Sequence, residues 1–135
     1  MNFVPKKSLG QNFLINNQLI QEIVALGEIS ENDKVIEIGP GTGNLTEEIL
    51  KKKQYKFFAI EKDKNLYSKL KNKFKTNIEL INQDVLKIKW NEYSEDQYLV
   101  FGNLPYNIST KLLIDWIRLK SLNKTFKKFI LMFQK

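Results

Sequence analysis

The chain has 135 residues, 42% hydrophobic and 27% charged, which is enough for one soluble globular core and too little for several domains. It has no Cys and no His, so disulfides, thiol nucleophiles and a histidine general base are excluded, and a zinc site would have to be built from carboxylates alone. The formal charge of +7 is unevenly placed: residues 1–50 carry three lysines against seven acidic residues, whereas 51–135 carry nineteen Lys or Arg against eight, a balance that suits a polyanion such as nucleic acid.

Residues 3–15 open with no clear periodicity, polar Gln11 and Asn12 lying between Leu9 and Phe13-Leu14, and read as an ordered arm. Lys6 and Lys7 are not followed by an apolar export core, and no run approaches the roughly 20 apolar residues of a membrane span, so a cytoplasmic location without membrane partners is expected. Asn16 or Asn17 can cap a helix whose apolar residues Leu19, Ile20, Ile23, Val24 and Leu26 follow the three-to-four spacing up to Gly27. Lys34 to Ile38, short and β-branched, predicts the first strand of a buried parallel sheet.

That strand runs into Gly39-Pro40-Gly41-Thr42-Gly43, where glycine lets a backbone turn sharply and lie close to a ligand before a helix begins. The same turn can also serve geometry alone. Leu45, Ile49 and Leu50 mark the inner face of the next helix, and Lys51-Lys52-Lys53 reads as its solvated, cationic end. Phe57 to Ile60 predicts strand two, closed by Glu61. Asp63 can cap a helix with Leu66, Leu70 and Phe74 on one face. Ile78 to Ile81 predicts strand three, leading to Asn82-Gln83-Asp84; residues 87–97, polar and irregular except for Trp90 and Tyr93, read as a surface excursion. Tyr98 to Phe101 predicts strand four, opening into Gly102-Asn103-Leu104-Pro105-Tyr106. A helix is expected from about Ser109, carrying Leu112, Leu113, Trp116, Ile117 and Leu119, before a fifth strand at Phe129 to Phe133.

Alternating strands and helices predict a parallel α/β sheet with helices on both faces. Ligands of such sheets bind beyond the carboxyl ends of the strands, where the Gly39–Gly43 loop, Glu61, Asp84 and Asn103 to Tyr106 all fall. The glycine spacing leaves Asn44 where a dinucleotide fingerprint needs a third glycine, which disfavours NAD. A carboxylate such as Glu61, about twenty positions on, can still accept from both hydroxyls of a ribose. A nucleoside cofactor without a pyrophosphate fits better. In Asn103-Leu104-Pro105-Tyr106, the Asn103 side-chain carbonyl and the Leu104 backbone carbonyl could accept from an aromatic amine and draw its nitrogen toward tetrahedral geometry, with Tyr106 stacked on the base. The same residues could equally form a turn in which Tyr106 covers the core.

The sequence resembles the ribosomal RNA adenine N6-dimethyltransferases in Leu9-Gly10-Gln11-Asn12-Phe13-Leu14, Glu37 to Gly43, Ala59 to Asp63, Asn82 to Val85, Asn103 to Tyr106 and Leu131 to Lys135. The arm and the Asn103 tetrad are more similar to the small-subunit dimethyladenosine transferases than to the large-subunit resistance methylases. This resemblance implies a Rossmann-like class I methyltransferase fold and S-adenosylmethionine as cofactor, with small-subunit ribosomal RNA or an assembling small subunit as partner and no metal. It further implies that Asn12, Leu14, Gly39, Gly41, Glu61, Asp84, Val85 and Asn103 line the cofactor site, while Asn103, Leu104 and Tyr106 act at the target adenine.

The resemblance divides the chain into an arm and helix, 1–33, and a cofactor-binding α/β domain, 34–135. Family members continue past the fifth strand into a helical C-terminal domain, so the chain is expected to be an N-terminal portion that keeps most cofactor contacts and is poorly active alone. An unpaired fifth-strand edge would favour self-association, which sedimentation would detect. A non-catalytic RNA-binding or ribosome-assembly module, and a large-subunit methylase, are the competing readings.

Overall fold

The computed structural model describes residues 16–93, 96–120 and 122–134. Five strands form one wholly parallel sheet: β1 (Lys34–Ile38), β2 (Lys56–Ile60), β3 (Glu79–Ile81), β4 (Tyr98–Pro105) and β5 (Phe126–Gln134), in the order β3-β2-β1-β4-β5. The chain moves outward on one side from β1 to β3 and then crosses to the other side for β4. The crossover point therefore lies between β1 and β4, where open α/β sheets hold their ligands.

Among the described residues, five helices flank the sheet: α1 (Asn17–Leu26), α2 (Asn44–Lys51), α3 (Lys64–Phe74), α4 (Tyr106–Ile117) and the short α5 (Leu122–Thr125). Two of the predicted caps form as the local chemistry requires. The Asn16 side chain accepts from the Leu19 amide at 3.0 Å, and Asp63 accepts from the Asn65 and Leu66 amides at 2.8 and 2.9 Å. Asn16 satisfies one orphan donor of a first helical turn and Asp63 satisfies two.

Alternation along the strands produces two cores. Val35, Phe57, Ala59, Leu99 and Phe101 point to α1, α2 and α3, whereas Ile36, Ile38, Ile60 and Val100 point to α4 and the aromatic residues around it. Both faces are covered, as the sequence pattern predicts. The second core is centred on Trp116, which stacks on Phe129 at 4.7 Å and meets Trp90 edge-on at 5.5 Å.

Several expectations change in the folded chain. Trp90 does not sit on a surface excursion: two 3-10 turns, Val85–Lys87 and Trp90–Tyr93, bring it into the aromatic core, where it also meets Phe126 at 5.4 Å. Strand β4 runs four residues past Phe101 because β5 supplies parallel partners for Gly102 to Pro105, opposite Leu131 to Gln134. Helix α4 accordingly begins at Tyr106, straight after the strand, and not near Ser109. Leu19, Leu26 and Ile117 are exposed despite fitting the helical spacing. Each lies at the border of an apolar stripe wider than the surface that the neighbouring elements cover.

Trp116 is fully buried, and its indole N–H has no hydrogen-bond partner among the described residues. Trp116→Ala is expected to cost roughly 3–5 kcal/mol in urea denaturation through the cavity it leaves. Trp116→Phe removes the unpaired donor together with some volume and is expected to cost less than about 2 kcal/mol. Equal costs for the two would contradict this account of the core.

Candidate functional site

The ladder determines where the site lies. Ile38 is level with Ile60 and Gly102, and Ile60 with Ile81. The next residue of each strand therefore falls in one row at the carboxyl edge: Gly39, Glu61, Asn82 and Asn103, with Met132 opposite Asn103 on β5. The row is tied together by backbone bonds, Gly39 N to Ile60 O and Glu61 N to Ile81 O, both 2.9 Å.

In the loop after β1, Gly39, Gly41 and Gly43 all have left-handed φ, at +69°, +61° and +91°. Two of them also face close neighbours. A Cβ on Gly39 would meet Leu104 Cδ2 at 2.8 Å and lie 3.9 Å from the Asn103 carbonyl oxygen, so the loop rests directly against the end of β4. A Cβ on Gly43 would meet the Phe74 ring at 2.7 Å, so this glycine serves the packing of α2 on α3. Gly43 N donates to Pro40 O at 2.9 Å and closes the turn, and no side chain caps α2.

Two carboxylates stand beneath and beside this loop. Glu37 points into the core on the α2 side, and its Oε1 accepts from the Thr46 hydroxyl at 2.5 Å. Burial pushes its pKa up to about 8 against the pull of that hydrogen bond, and the nearby charge of Glu61 adds to the rise. Glu61 is only 6% exposed, and burial lifts it to about 7 although the backbone amides of Asp63 and Gly41 donate to its carboxylate. The Gly41 contact binds the glycine loop to the end of β2. The Asp63 amide lies 3.3 Å from Glu61 Oε1, in the turn that Asp63 closes as the cap of α3.

Sequence reasoning missed the part played by Asn82. Its side-chain amide donates to the carbonyls of Glu61 and Lys62 at 2.8 and 3.2 Å, and so fixes the backbone that carries Glu61. Its place at the end of a strand, two residues before Asp84 and at the start of the Asn82 to Val85 motif, was the available signal. Asp84 caps the following 3-10 turn by accepting from Leu86 N at 3.0 Å, and its other oxygen lies 3.4 Å from Lys62 Nζ. Val85 beside it is buried.

Across the crossover point, Asn103 is half-buried and Leu104 is buried under Gly39. Pro105 ends β4, and Tyr106 opens α4 with its side chain 62% exposed. Tyr106 therefore does not cover the core. The fold brings Gly39, Gly41, Glu61, Asp84, Val85, Asn103, Leu104 and Tyr106 to one edge, whereas Asn12 and Leu14 lie outside the described residues. Among the described residues no cluster of three or more acidic side chains could hold a metal, and no helix is long and apolar enough to cross a membrane.

A family model described as Ribosomal RNA adenine dimethylase matches residues 2–135. The chain is 52% identical over 130 residues to Ribosomal RNA small subunit methyltransferase A of Pelagibacter ubique, covering 96% of this chain and 49% of that protein. Among solved structures it is similar to a dimethyladenosine transferase from Plasmodium falciparum, with a TM-score of 0.76 and 31% identity over 92% of this chain and 44% of that one. It is also similar to the 23S rRNA methyltransferase ErmE, with a TM-score of 0.71 and 27% identity over 82% of this chain and 44% of that one. The fold is thus that of the Rossmann-like class I methyltransferases. The chain spans about half the length of the curated relatives it matches.

The buried Glu37 gives a pH test. In the unfolded chain its carboxyl ionises near 4.5, whereas the folded chain holds the proton up to about 8, so unfolding releases a proton throughout this window and stability falls as pH rises. The slope reaches at most about 1.4 kcal/mol per pH unit for one such group. Glu37→Gln keeps an acceptor for Thr46 and cannot ionise. Its stability relative to the parent protein is therefore expected to rise steadily from pH 5 to 8 in urea denaturation; parallel profiles would contradict the burial of a protonated carboxyl.

Proposed function

Because the chain belongs to the ribosomal RNA adenine dimethylase family, we propose that it forms the S-adenosylmethionine-binding part of an enzyme that dimethylates adenine N6 in small-subunit ribosomal RNA. The observation that carries this reading is the row of Gly39, Glu61, Asn82 and Asn103 at the crossover point of the sheet. The higher identity to a relative named for the small subunit, 52% against 27% for the 23S enzyme, supports that subunit as the source of the substrate.

The residues present fit a nucleoside cofactor without a pyrophosphate. A carboxylate has about four acceptor positions. At Glu61 the amides of Gly41 and Asp63 use part of that capacity, leaving room for the two hydroxyls of a ribose. Asp84, one turn along the edge and 3.4 Å from Lys62 Nζ, would take the adenine amine beside the Val85 backbone. Gly39 and Gly41 would pass under the methionine portion. Asn12 and Leu14 of the arm and helix, residues 1–33, would line the site together with the α/β domain, residues 34–135. When bound, S-adenosylmethionine supplies an electrophilic methyl group, so the target amine needs orientation more than a strong base.

Orientation is what the end of β4 offers. The Asn103 side-chain carbonyl and the Leu104 backbone carbonyl would accept from the target amine and localise its lone pair, and the exposed Tyr106 ring would stack on the base. Both sides of the reaction are then held by a strand and a helix joined without an intervening loop, which limits the motion of the acceptor relative to the cofactor.

Glu61→Ala removes two charge-assisted hydrogen bonds and is expected to weaken S-adenosylmethionine binding roughly 10- to 100-fold by calorimetry. For the unaltered chain the sign of the pH effect follows from the raised carboxyl: ionised Glu61 binds, so affinity is retained above about 7 and is lost as pH falls through it. Asn103→Ala is expected to lower methyl transfer to unmethylated small subunits by about 100-fold with RNA affinity within about twofold. Undiminished transfer by Asn103→Ala, or cofactor binding indifferent to Glu61, would overturn the reading.

A further inference from the structure

The opposite, amino edge of the sheet carries a second arrangement that the cofactor site does not use. Residues 52–55 link α2 to β2, and the link is fastened from below. Lys52 N and Gln54 Nε2 both donate to Ile49 O, at 3.0 and 3.4 Å, and the amides of Tyr55 and Lys56 both donate to Asp33 O, at 2.8 and 3.4 Å. Asp33 is itself buried, its carboxylate held by the Ser30 amide at 2.8 Å and by Lys127 Nζ at 3.0 Å. The link is therefore preset by the fold.

What it presents outward is cationic and aromatic. Lys52, Lys53, Lys56 and Tyr55 line an open cleft of about 740 Å³, with Glu31 as its single carboxylate. Lys51 behaves as the solvated helix end that the sequence suggests, paired with Glu48 at 2.6 Å. Lys52 and Lys53 lie past the helix and have no ion-pair partner among the described residues. Tyr55 is 66% exposed although its backbone is anchored, and Lys34 Nζ lies 6.0 Å from its ring centroid. Lys34 is paired with Asp96 at 2.5 Å, so among the described residues the free cations of the cleft are Lys52 and Lys53. A solvent-open ring on an anchored backbone beside these ammonium groups matches the chemistry of a nucleotide: a face for stacking and cations for the flanking phosphates.

We infer that this cleft is a second RNA-docking surface, gripping phosphodiester backbone and one unstacked base on the far side of the sheet from the methyl-transfer edge. It rests on the reading of the chain as an RNA-modifying protein. From Lys56 to Glu61 the strand advances five residues, roughly 17 Å. One folded RNA can therefore be held at both edges at once, which orients the target segment over Asn103.

The test uses the 135-residue chain and a fluorescein-labelled RNA hairpin with an unpaired adenine-rich loop, titrated by anisotropy over a range of salt. Lys52→Ala/Lys53→Ala is expected to weaken binding about tenfold and to reduce the slope of log affinity against log salt by about 1.5–2, as for two lost phosphate contacts. Tyr55→Ala is expected to weaken binding about fivefold or more with the slope unchanged, and Tyr55→Phe to restore it. A control of equal charge, Lys71→Ala/Lys120→Ala, is expected to change affinity less than threefold. Calorimetric S-adenosylmethionine affinity stays constant in every variant. The inference is overturned if the cleft variants match the control, or if the unaltered chain binds the cofactor but not the hairpin. Failure of the unaltered chain to bind S-adenosylmethionine would instead count against the proposed function.

Discussion

A parallel ladder that sets Ile38 beside Ile60 and Gly102, and Ile60 beside Ile81, forces the next residue of each of these strands onto a common edge. β1, β2 and β3 then leave the sheet by turns while β4 runs on through Pro105 into α4, so side chains distant in sequence become neighbours without any loop having to reach. The glycine loop and the end of β4 meet at the crossover point, where a side chain on Gly39 would collide with Leu104. A one-residue slip of β4 would turn Asn103 away from this edge and put its neighbour in its place. The long pairing of β4 with β5, from Tyr98 to Pro105, opposes such a slip.

Below that edge the protein keeps polar groups where an ordinary core would be apolar. Glu37 and Glu61 are both buried, and both hold their protons more firmly than a free carboxyl does. Their partners are short-range and directional: the Thr46 hydroxyl for the first, the Gly41 and Asp63 amides for the second. Such groups cost desolvation in the folded state. In return, the contact between Gly41 and Glu61 makes the shape of the loop depend on the end of β2, and the two bonds from Asn82 make the end of β2 depend on β3. The edge is thus a connected polar network spanning three strands, a firmer support than isolated turns.

Much of this was legible in the sequence because it is local. Strand β1 has the bounds its β-branched run suggests, and Asn16 and Asp63 cap the helices expected of them. The glycines, Glu61, Asp84 and the Asn103 tetrad fall at the strand ends, as alternating elements require. What could not be read depends on contacts distant in sequence. The extension of β4 through Pro105 needs β5 as its partner, and the burial of Trp90 needs Trp116 and Phe126, more than twenty residues away. The pairing of Glu37 with Thr46 needs the turn closed by Gly43, whose own glycine is required by Phe74 as much as by any ligand. Exposed Ile117 shows the converse limit: helical spacing marks an apolar stripe but not how much of it a neighbour will cover.

The central claim is that four strand ends on one edge act as a single cofactor site. Amide hydrogen exchange of the chain with and without S-adenosylmethionine tests it most directly. The account predicts slowed exchange at residues 39–44, 61–66, 84–86 and 103–107 together, with the amides of residues 52–56 at the opposite edge unchanged. Cofactor binding that left the Gly39–Gly43 turn and the Asn103–Tyr106 segment exchanging at their original rates would contradict it.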